Sequence, residues 1–311
     1  MKTAAEGFSF GRLYIAPRLN DYAQLTKARV TILIIMTAWC GFFFGARKAG
    51  LPEIGWSLLH ALLGIGMVSS GTAALNEVLE HEVDGKMRRT ARRPIPSGRM
   101  SLLHATIVGG LLAIGGSIYL VLSTNWLTGL LTFLTSLVYL LAYTPLKRIS
   151  PICTFVGAFP GAMPGVLGWT AARGRLDWGT LALFAILFLW QFPHFFAIAW
   201  MYREDYAKGS IRMLPVVEPD GRSTALRMLL YSLALLPISL APAFLGMTGR
   251  IYLCGAAILG LMFIFFSARM ILVDLPVANS QSRVYARQLF RCSIVYLPLL
   301  FVLMMSNALK G

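Results

Sequence analysis

Three oxygen-bearing side chains recur at intervals of four residues within residues 76–90. Asn76, Glu80 and Asp84 would share one face of a helix, because residues i, i+4 and i+8 stack along its axis, whereas Glu82 would point roughly opposite to Glu80. Two carboxylates and an amide oxygen in a row suit a hard cation, and Mg²⁺ takes such ligands while keeping positions open for phosphate oxygens. We predict that all three stripe residues are catalytic and bind Mg²⁺. The alternative is a solvated loop.

The next stretch carries the opposite charge. Its basic residues are Lys86, Arg88, Arg89, Arg92, Arg93 and Arg99. Two prolines and a glycine within residues 94–98 predict an ordered loop rather than a helix. Guanidinium groups bind phosphate in a bidentate way, so this mixture of acids and bases fits a metal-bridged diphosphate better than either charge alone. We predict that Arg89, Arg93 and Arg99 bind the substrate.

A second polar cluster begins inside an apolar run. Pro193 should kink a helix there and free a backbone carbonyl. His194 beside it is predicted to bind the substrate, and the alternative is a histidine hydrogen-bonded within the packing. Further on, Glu204 and Asp205 could complete a metal site facing the first. Adjacent helical residues point about 100° apart, so one direct ligand is expected; Asp205 is preferred as that ligand and is predicted to be catalytic.

Four more residues are candidates for the same site. Tyr143, Lys147 and Arg148 end another apolar run, and Lys208 follows the second acidic pair. Lys147 and Arg148 could neutralise a diphosphate with their positive charges, and all four residues are predicted to bind the substrate. Anchoring of a helix end at the membrane surface explains Lys147 and Arg148 equally well.

Long apolar runs separate these polar segments. The 311-residue chain is 57% hydrophobic and only 13% charged, and its mean hydropathy is +0.68. Several runs reach the roughly 17–25 residues that cross a bilayer core. We predict an all-α, polytopic membrane protein with one domain over residues 1–311, of which 1–25 form a polar tail. The predicted spans are 30–46, 56–75, 102–122, 126–144, 153–171, 179–200, 225–246, 251–273 and 290–308.

The basic residues are distributed unevenly between the two sides of these spans. With nine spans, 22 of the 28 Lys and Arg fall on the side of the N-terminus, which predicts a cytoplasmic N-terminus. Both acidic clusters fall on the same side. The net charge of +15 fits contact with anionic lipid. A nucleic-acid partner is not expected, because no polar segment is long enough to bind one, and a bacterial inner membrane is the simplest location.

The fifth span is rich in small residues. It contains Gly157, Gly161, Gly165 and Gly168, together with two prolines. Small residues allow helices to approach closely, or they leave room for a lipid chain. The sequence does not decide between these two uses.

Several of these motifs together resemble the UbiA superfamily of intramembrane prenyltransferases, from about Leu25 to the C-terminus. The superfamily pattern is Asn76-x-x-x-Glu80-x-x-x-Asp84, Arg89-Thr90 and Arg93-Pro94-x-Pro96-x-Gly98-Arg99. The blocks similar to the haem-modifying branch are Leu25-Thr26-Lys27, Arg29-Val30-Thr31, Pro193-His194-Phe195, Asp205-Tyr206-Ala207 and Met213-Leu214-Pro215-Val216. Glu80 and Glu82 stand where Asp is usual, and Ala28 stands where Pro is usual.

The resemblance implies a structure and a reaction. It implies a nine-helix transmembrane bundle around a central cavity, with farnesyl diphosphate and haem b as substrates and Mg²⁺ as cofactor. Asn76, Glu80, Asp84 and Asp205 would hold the Mg²⁺ while the farnesyl group moves to a haem vinyl group. The lipid bilayer and a downstream haem a synthase are the implied partners.

Three other functions remain open at this point. One is a prenyltransferase that acts on an aromatic quinone precursor. Another is a transporter for an anionic substrate, although its charged site would lie at the membrane midplane rather than at helix ends. The third is a haem-binding subunit of a respiratory complex, which would need paired axial histidines at membrane depth. The four histidines of the chain are His60, His81, His104 and His194.

Overall fold

The computed structural model describes residues 18–218, 220–272 and 276–309, and within these ranges the chain is helical and forms no β-sheet. The long helices are α2 (Ala28–Ala49), α3 (Trp56–Lys86), α4 (Leu102–Ser123), α5 (Trp126–Leu137), α7 (Cys153–Arg173), α8 (Trp178–Met201), α11 (Arg222–Phe244), α12 (Arg250–Leu272) and α13 (Ser280–Ser306). The short elements are α1 (Leu19–Leu25), a π-helical turn (Val138–Tyr143), α6 (Thr144–Leu146), α9 (Arg203–Lys208) and α10 (Leu214–Val217).

The helices confirm the prediction of an all-α polytopic membrane protein. Eight helical segments of the described chain are long and apolar enough to cross a membrane, and one of them joins α5, the π-helical turn and α6. Helix α7 does not meet that criterion of apolarity, but its 21 residues occupy the place of the fifth predicted span. Of the predicted polar tail, residues 1–17 lie outside the described residues, and most of the remainder folds as α1.

Helix α3 continues well past the predicted end of the second span. It runs for 31 residues to Lys86, so the stripe of Asn76, Glu80 and Asp84 is helical, as the spacing predicts. The segment after it consists of turns, in agreement with the proline and glycine pattern of residues 94–98. Val83 and Met87 hold the end of α3 in place by packing in a buried cluster with Cys153 of α7.

The glycines of α7 allow close contact between helices, and one of them lines a cavity. A Cβ atom on Gly168 would lie 1.8 Å from the carbonyl oxygen of Ala38, and one on Gly41 would lie 1.9 Å from that of Gly165. Backbone therefore meets backbone between α2 and α7, which only glycine permits. Gly161 instead lines a cavity.

The second half of the chain packs as four helices. Helix α8 contacts both α11 and α13, and these two pack against α12. Polar side chains fix the contacts: the indole N–H of Trp200 donates to the Ser282 hydroxyl at 3.0 Å, and the Tyr296 hydroxyl lies 2.6 Å from that of Ser239. This group is joined to the first half of the chain mainly through the contact of α7 with α8.

Candidate functional site

The site lies at the end of the bundle where α2 and α13 begin and α3 and α6 end, here called the charged end. Asn76 on α3 is fully buried there, and its amide oxygen accepts a hydrogen bond from the Lys27 ammonium at 2.6 Å. Its amide nitrogen donates to the Thr144 hydroxyl at 3.0 Å. A single side chain of α3 therefore connects the segment before α2 with the start of α6.

Glu80, one turn further along α3, is paired with Lys147. The Lys147 ammonium lies 2.8 and 3.1 Å from the two carboxylate oxygens, and both side chains are mostly buried. Burial opposes the charge on Lys147, but Tyr143 and Glu80 outweigh it and raise the pKa of the ammonium above its ordinary value. Lys147 is therefore a protonated, buried cation at neutral pH.

The π-helical turn places two aromatic rings around this cation. Thr144 donates both its backbone N–H and its hydroxyl to the Tyr139 carbonyl, five residues back. The Lys147 ammonium lies 4.5 Å from the centre of the Tyr143 ring and 6.0 Å from that of Tyr139, within reach of a cation–π attraction. π-Helical turns inside α-helices often occur at functional sites.

Asp84, the third residue of the stripe, binds the basic loop. Its carboxylate accepts a hydrogen bond from the Arg93 guanidinium at 2.5 Å, and its backbone carbonyl accepts one from the Thr90 hydroxyl at 2.9 Å. Asp84 and Thr90 are each only 1% exposed. The loop therefore folds back over the end of α3 and brings Arg93 to the same face as the acids.

The second acidic segment reaches the same place. The carboxylate oxygens of Asp205 accept the backbone N–H groups of Arg88 and Arg89 at 2.8 and 3.2 Å. Glu204 points elsewhere and pairs with Arg283 at the start of α13 and with Arg203. The two neighbouring acids thus have different partners, and Asp205 is the one that meets the segment following α3.

An aromatic pair holds the Arg89 side chain beside these acids. Its guanidinium lies 5.7 Å from the ring centre of Tyr202 and 5.6 Å from that of Tyr206. Burial raises the pKa of Tyr206, and Arg89 opposes the shift. Arg89 also lines a cleft of about 620 Å³ at the protein surface together with the exposed Lys208.

Three residues predicted to bind substrate lie away from this cluster. Arg99 faces α1 and donates to the Asp21 carboxylate at 2.8 Å. Arg148 is exposed in the loop after α6. The His194 ring is hydrogen-bonded to the Ser293 hydroxyl at 2.7 Å and stacks on Trp190. These contacts are those expected of a histidine that is hydrogen-bonded within the helix packing.

The predicted ligands Asn76, Glu80, Asp84, Glu204 and Asp205 do not form a ready metal centre. Among the described residues, no three His, Cys, Asp or Glu side chains are grouped so that they could hold an ion. Each of these carboxylates is instead engaged with a cation or with backbone N–H groups. The oxygen donors of the α3 stripe nevertheless have the chemistry that Mg²⁺ prefers.

Two buried groups at the site are not among the residues predicted from the sequence. Lys27 is one of them, and its position directly before an apolar run is the signal that could identify it. Glu77 is also fully buried: one carboxylate oxygen accepts the Ile95 N–H at 3.3 Å, and the other has no hydrogen-bond partner among the described residues. Burial of an acid next to Asn76 could not be read from the helical spacing.

Below the charged cluster lies an apolar cavity of about 140 Å³ between α2, α3, α5 and α7. Lys27 and Tyr139 stand at its mouth, and its walls combine aliphatic residues with several Ser and Thr residues. Burial lowers the pKa of Lys27, and the nearby positive charges of Arg93 and Lys147 add to the effect. Lys27 thus lines the cavity and is also hydrogen-bonded to Asn76 of the charged cluster.

The membrane bundle therefore has buried acids and bases at its charged end, next to an apolar cavity. Residues 33–295 match the model of the UbiA prenyltransferase family. The chain therefore belongs to the UbiA prenyltransferase family, and it is a prenyltransferase.

A curated relative is similar to the chain over nearly its whole length, and solved structures share its fold. The chain is 58% identical to the protoheme IX farnesyltransferase of Koribacter versatilis, over 98% of both chains. The structure of a digeranylgeranylglyceryl phosphate synthase superposes with a TM-score of 0.75 at 18% identity, covering 93% of this chain and 98% of that one. A UbiA homologue of Archaeoglobus fulgidus, solved with GPP and Mg²⁺, superposes with a TM-score of 0.58 at 16% identity, covering 91% of this chain and 99% of that one.

Proposed function

We propose that this protein transfers the farnesyl group of farnesyl diphosphate to a vinyl group of haem b, with addition of water, to give haem o and pyrophosphate. The observation that carries the proposal is the buried cluster of acids and bases directly above an apolar cavity. It is supported by the 58% identity to a protein named for protoheme IX farnesyl transfer.

Three basic side chains would bind the diphosphate. Arg89 and Arg93 reach the end of α3 from the loop that follows it, and Lys147 reaches it from the end of α6. Arginine matches a phosphate with two parallel N–H donors, and the lysine adds a compact charge. Arg99, Arg148 and Lys208 lie further from the acids at the end of α3, so we propose that they attract the diphosphate through their charge. We also propose that His194 positions α8 against α13.

Asn76, Glu80, Asp84 and Asp205 would hold Mg²⁺. The ion would shield the negative charge that develops on the departing pyrophosphate. The choice of ion is supported by the oxygen donors on α3 and by the Archaeoglobus homologue, which was solved with Mg²⁺ and a prenyl diphosphate. We do not include Glu204, because its side chain is 65% exposed and turns toward Arg283 of α13 rather than toward α3.

The chemistry follows from the placement of charge and of apolar surface. The bond between C1 of the farnesyl group and the diphosphate oxygen breaks, and C1 forms a carbon–carbon bond with the vinyl group. Water then adds to the resulting haem-side cation and loses a proton. Protonated Lys147 supplies positive charge for the leaving group, and the apolar cavity keeps water from C1 until the carbon–carbon bond has formed.

The test uses purified protein with farnesyl diphosphate, Mg²⁺ and haem b, and mass analysis of the haem product. Asp84→Asn should abolish haem o formation in a folded protein. Glu82→Gln is the matched control, because Glu82 is exposed on another face of α3. Prenylation of 4-hydroxybenzoate in place of haem b would assign the protein to the quinone-precursor alternative. Normal turnover by Asp84→Asn would refute the metal assignment.

We also propose a location in a bacterial inner membrane, with the charged end of the bundle in the cytoplasm and haem o passing to a downstream haem a synthase. The support for this orientation is the excess of Lys and Arg in the connections at that end. Single cysteines at Arg92 and Leu176, which are both exposed, test it in a background lacking the exposed Cys254. An impermeant thiol reagent added to intact cells should label position 176 only, and the reverse labelling contradicts the orientation.

A further inference from the structure

We propose that Ile65 and Leu167 form the end wall of the apolar cavity and set the length of the prenyl chain that the enzyme accepts. The inference rests on the proposed function, because it concerns the donor of that same reaction. It adds two residues that determine specificity and that play no part in binding the diphosphate.

The cavity has a polar mouth and an apolar interior. Lys27 and Tyr139 lie at the mouth, next to the charged cluster, and Lys27 is bonded there to Asn76. From the mouth the lining follows α3 inward from Ala73 to Ile65, which at 1.5 Å per residue is a depth of about 12 Å. A prenyl diphosphate held by its head at the mouth would therefore extend its chain toward Ile65.

The cavity ends where the helices around it come into direct contact. Its lining reaches no deeper than Ile34 on α2 and Leu167 on α7. Immediately beyond, a Cβ on Gly168 would lie 1.8 Å from the Ala38 carbonyl oxygen, so the two backbones touch. This contact closes the space between α2 and α7, and the end of the cavity cannot move inward without separating the two helices.

The side chains of the end wall are held firmly. Ile65 is 1% exposed and Leu167 is 3% exposed, and both belong to one buried cluster with Ala38, Val68 and Leu120. Interiors packed to this degree do not open readily to admit extra carbon atoms. A chain longer than the cavity must therefore displace buried side chains or leave its diphosphate out of position.

Substitutions at the wall and higher in the cavity should shift the preferred chain length in opposite directions. Ile65→Ala with Leu167→Ala removes about six carbon atoms, enough space for one further five-carbon isoprene unit if the neighbours do not collapse. Ser69 lines the cavity one turn nearer the mouth than Ile65 and is only half-buried. Ser69→Leu should fill the cavity at that depth and shorten it.

The experiment is a competition among geranyl, farnesyl and geranylgeranyl diphosphates at equal concentration, with haem b and Mg²⁺, read by mass analysis of the haem products. The parent protein should favour farnesyl. The double variant should raise the ratio of geranylgeranyl to farnesyl product at least fivefold, and Ser69→Leu should raise the ratio of geranyl to farnesyl product to a similar extent. Leu235→Ala is the control: Leu235 is equally buried but lies on α11, outside the cavity lining, and its product ratios should match those of the parent.

The outcomes separate this inference from the proposed function. The inference is wrong if the parent prenylates haem with all three donors equally, or if both variants keep the parent's product ratios. Either result would show that the end wall does not set the length of the prenyl chain. If the parent prenylates haem with none of the donors, the proposed function fails, and the inference fails with it. Should the double variant not fold, Leu167→Ala alone and Ser69→Leu decide the question by the same ratios.

Discussion

Replacing Lys147 by methionine tests whether the site is held together by its own charges. The change keeps an unbranched side chain that is one atom shorter, and it removes the ammonium that lies 2.8 Å from Glu80. Both side chains are 14% exposed, so Lys147→Met leaves a carboxylate buried without its cation. Breaking a buried pair in this way costs about 3–5 kcal/mol of folding free energy. Adding Glu80→Gln removes the stranded charge and should recover about 2 kcal/mol.

The assay is the free energy of unfolding in detergent micelles for the parent, both single variants and the double variant. Arg148→Met is the control, since Arg148 is exposed and its loss should change the free energy by less than about 0.5 kcal/mol. If the losses in free energy of unfolding of the two single variants simply add in the double variant, the pairing is refuted. Because the pKa of Lys147 is raised, its contribution is present below the unfolded value of 10.5 and is lost only as pH rises through the higher folded value. A loss of the contribution between pH 6 and 9 would therefore also contradict the reasoning.

Three further changes have defined outcomes. Gly168→Ala should lower the free energy of unfolding by about 1–3 kcal/mol or more by overpacking, whereas Gly110→Ala, with no described neighbour within 4 Å of the new Cβ atom, should change thermal unfolding little. Asp205→Ala leaves two backbone N–H groups without an acceptor, so limited proteolysis should cut the segment after α3 faster, and unchanged cleavage contradicts the contact. Burial opposes ionisation of Asp21, but hydrogen bonds from Arg99 and backbone outweigh it and lower the pKa. The stability from Asp21 is thus present above pH 3.8 and lost as pH falls through the lower folded value, and acid titration of Arg99→Gln should show a smaller loss.

The membrane fold could be predicted because the hydropathy of consecutive residues can be read directly from the sequence. An apolar run of about 20 residues has few alternatives to a spanning helix, since a bilayer offers no partners for free backbone groups. The fifth span shows where this reasoning weakens. Its glycines and prolines make α7 less apolar than its neighbours, yet Gly168 allows a contact with α2 that stabilises the bundle.

Helical periodicity also predicted the acidic stripe, because the relation between Asn76, Glu80 and Asp84 is local. The partners of these acids were not predictable, since they depend on how loops return to the helix. Arg93 and Arg99 are six residues apart in one loop, yet one binds Asp84 and the other binds Asp21. The sequence shows that both residues are basic, but the path of the loop determines which of the two faces the site.

The pairing of charges explains how so many ionisable groups can lie together at the end of a membrane bundle. An isolated buried charge is costly, but each acid of the α3 stripe has a basic partner from another segment: Glu80 has Lys147, and Asp84 has Arg93. The same contacts join α3 to α6 and to the loop, so the site also holds the fold together. Loss of activity on removing one of these side chains therefore does not by itself prove a role in the reaction. Such a role requires a variant that keeps the pairing, such as Arg93→Lys, and yet changes the rate with the donor.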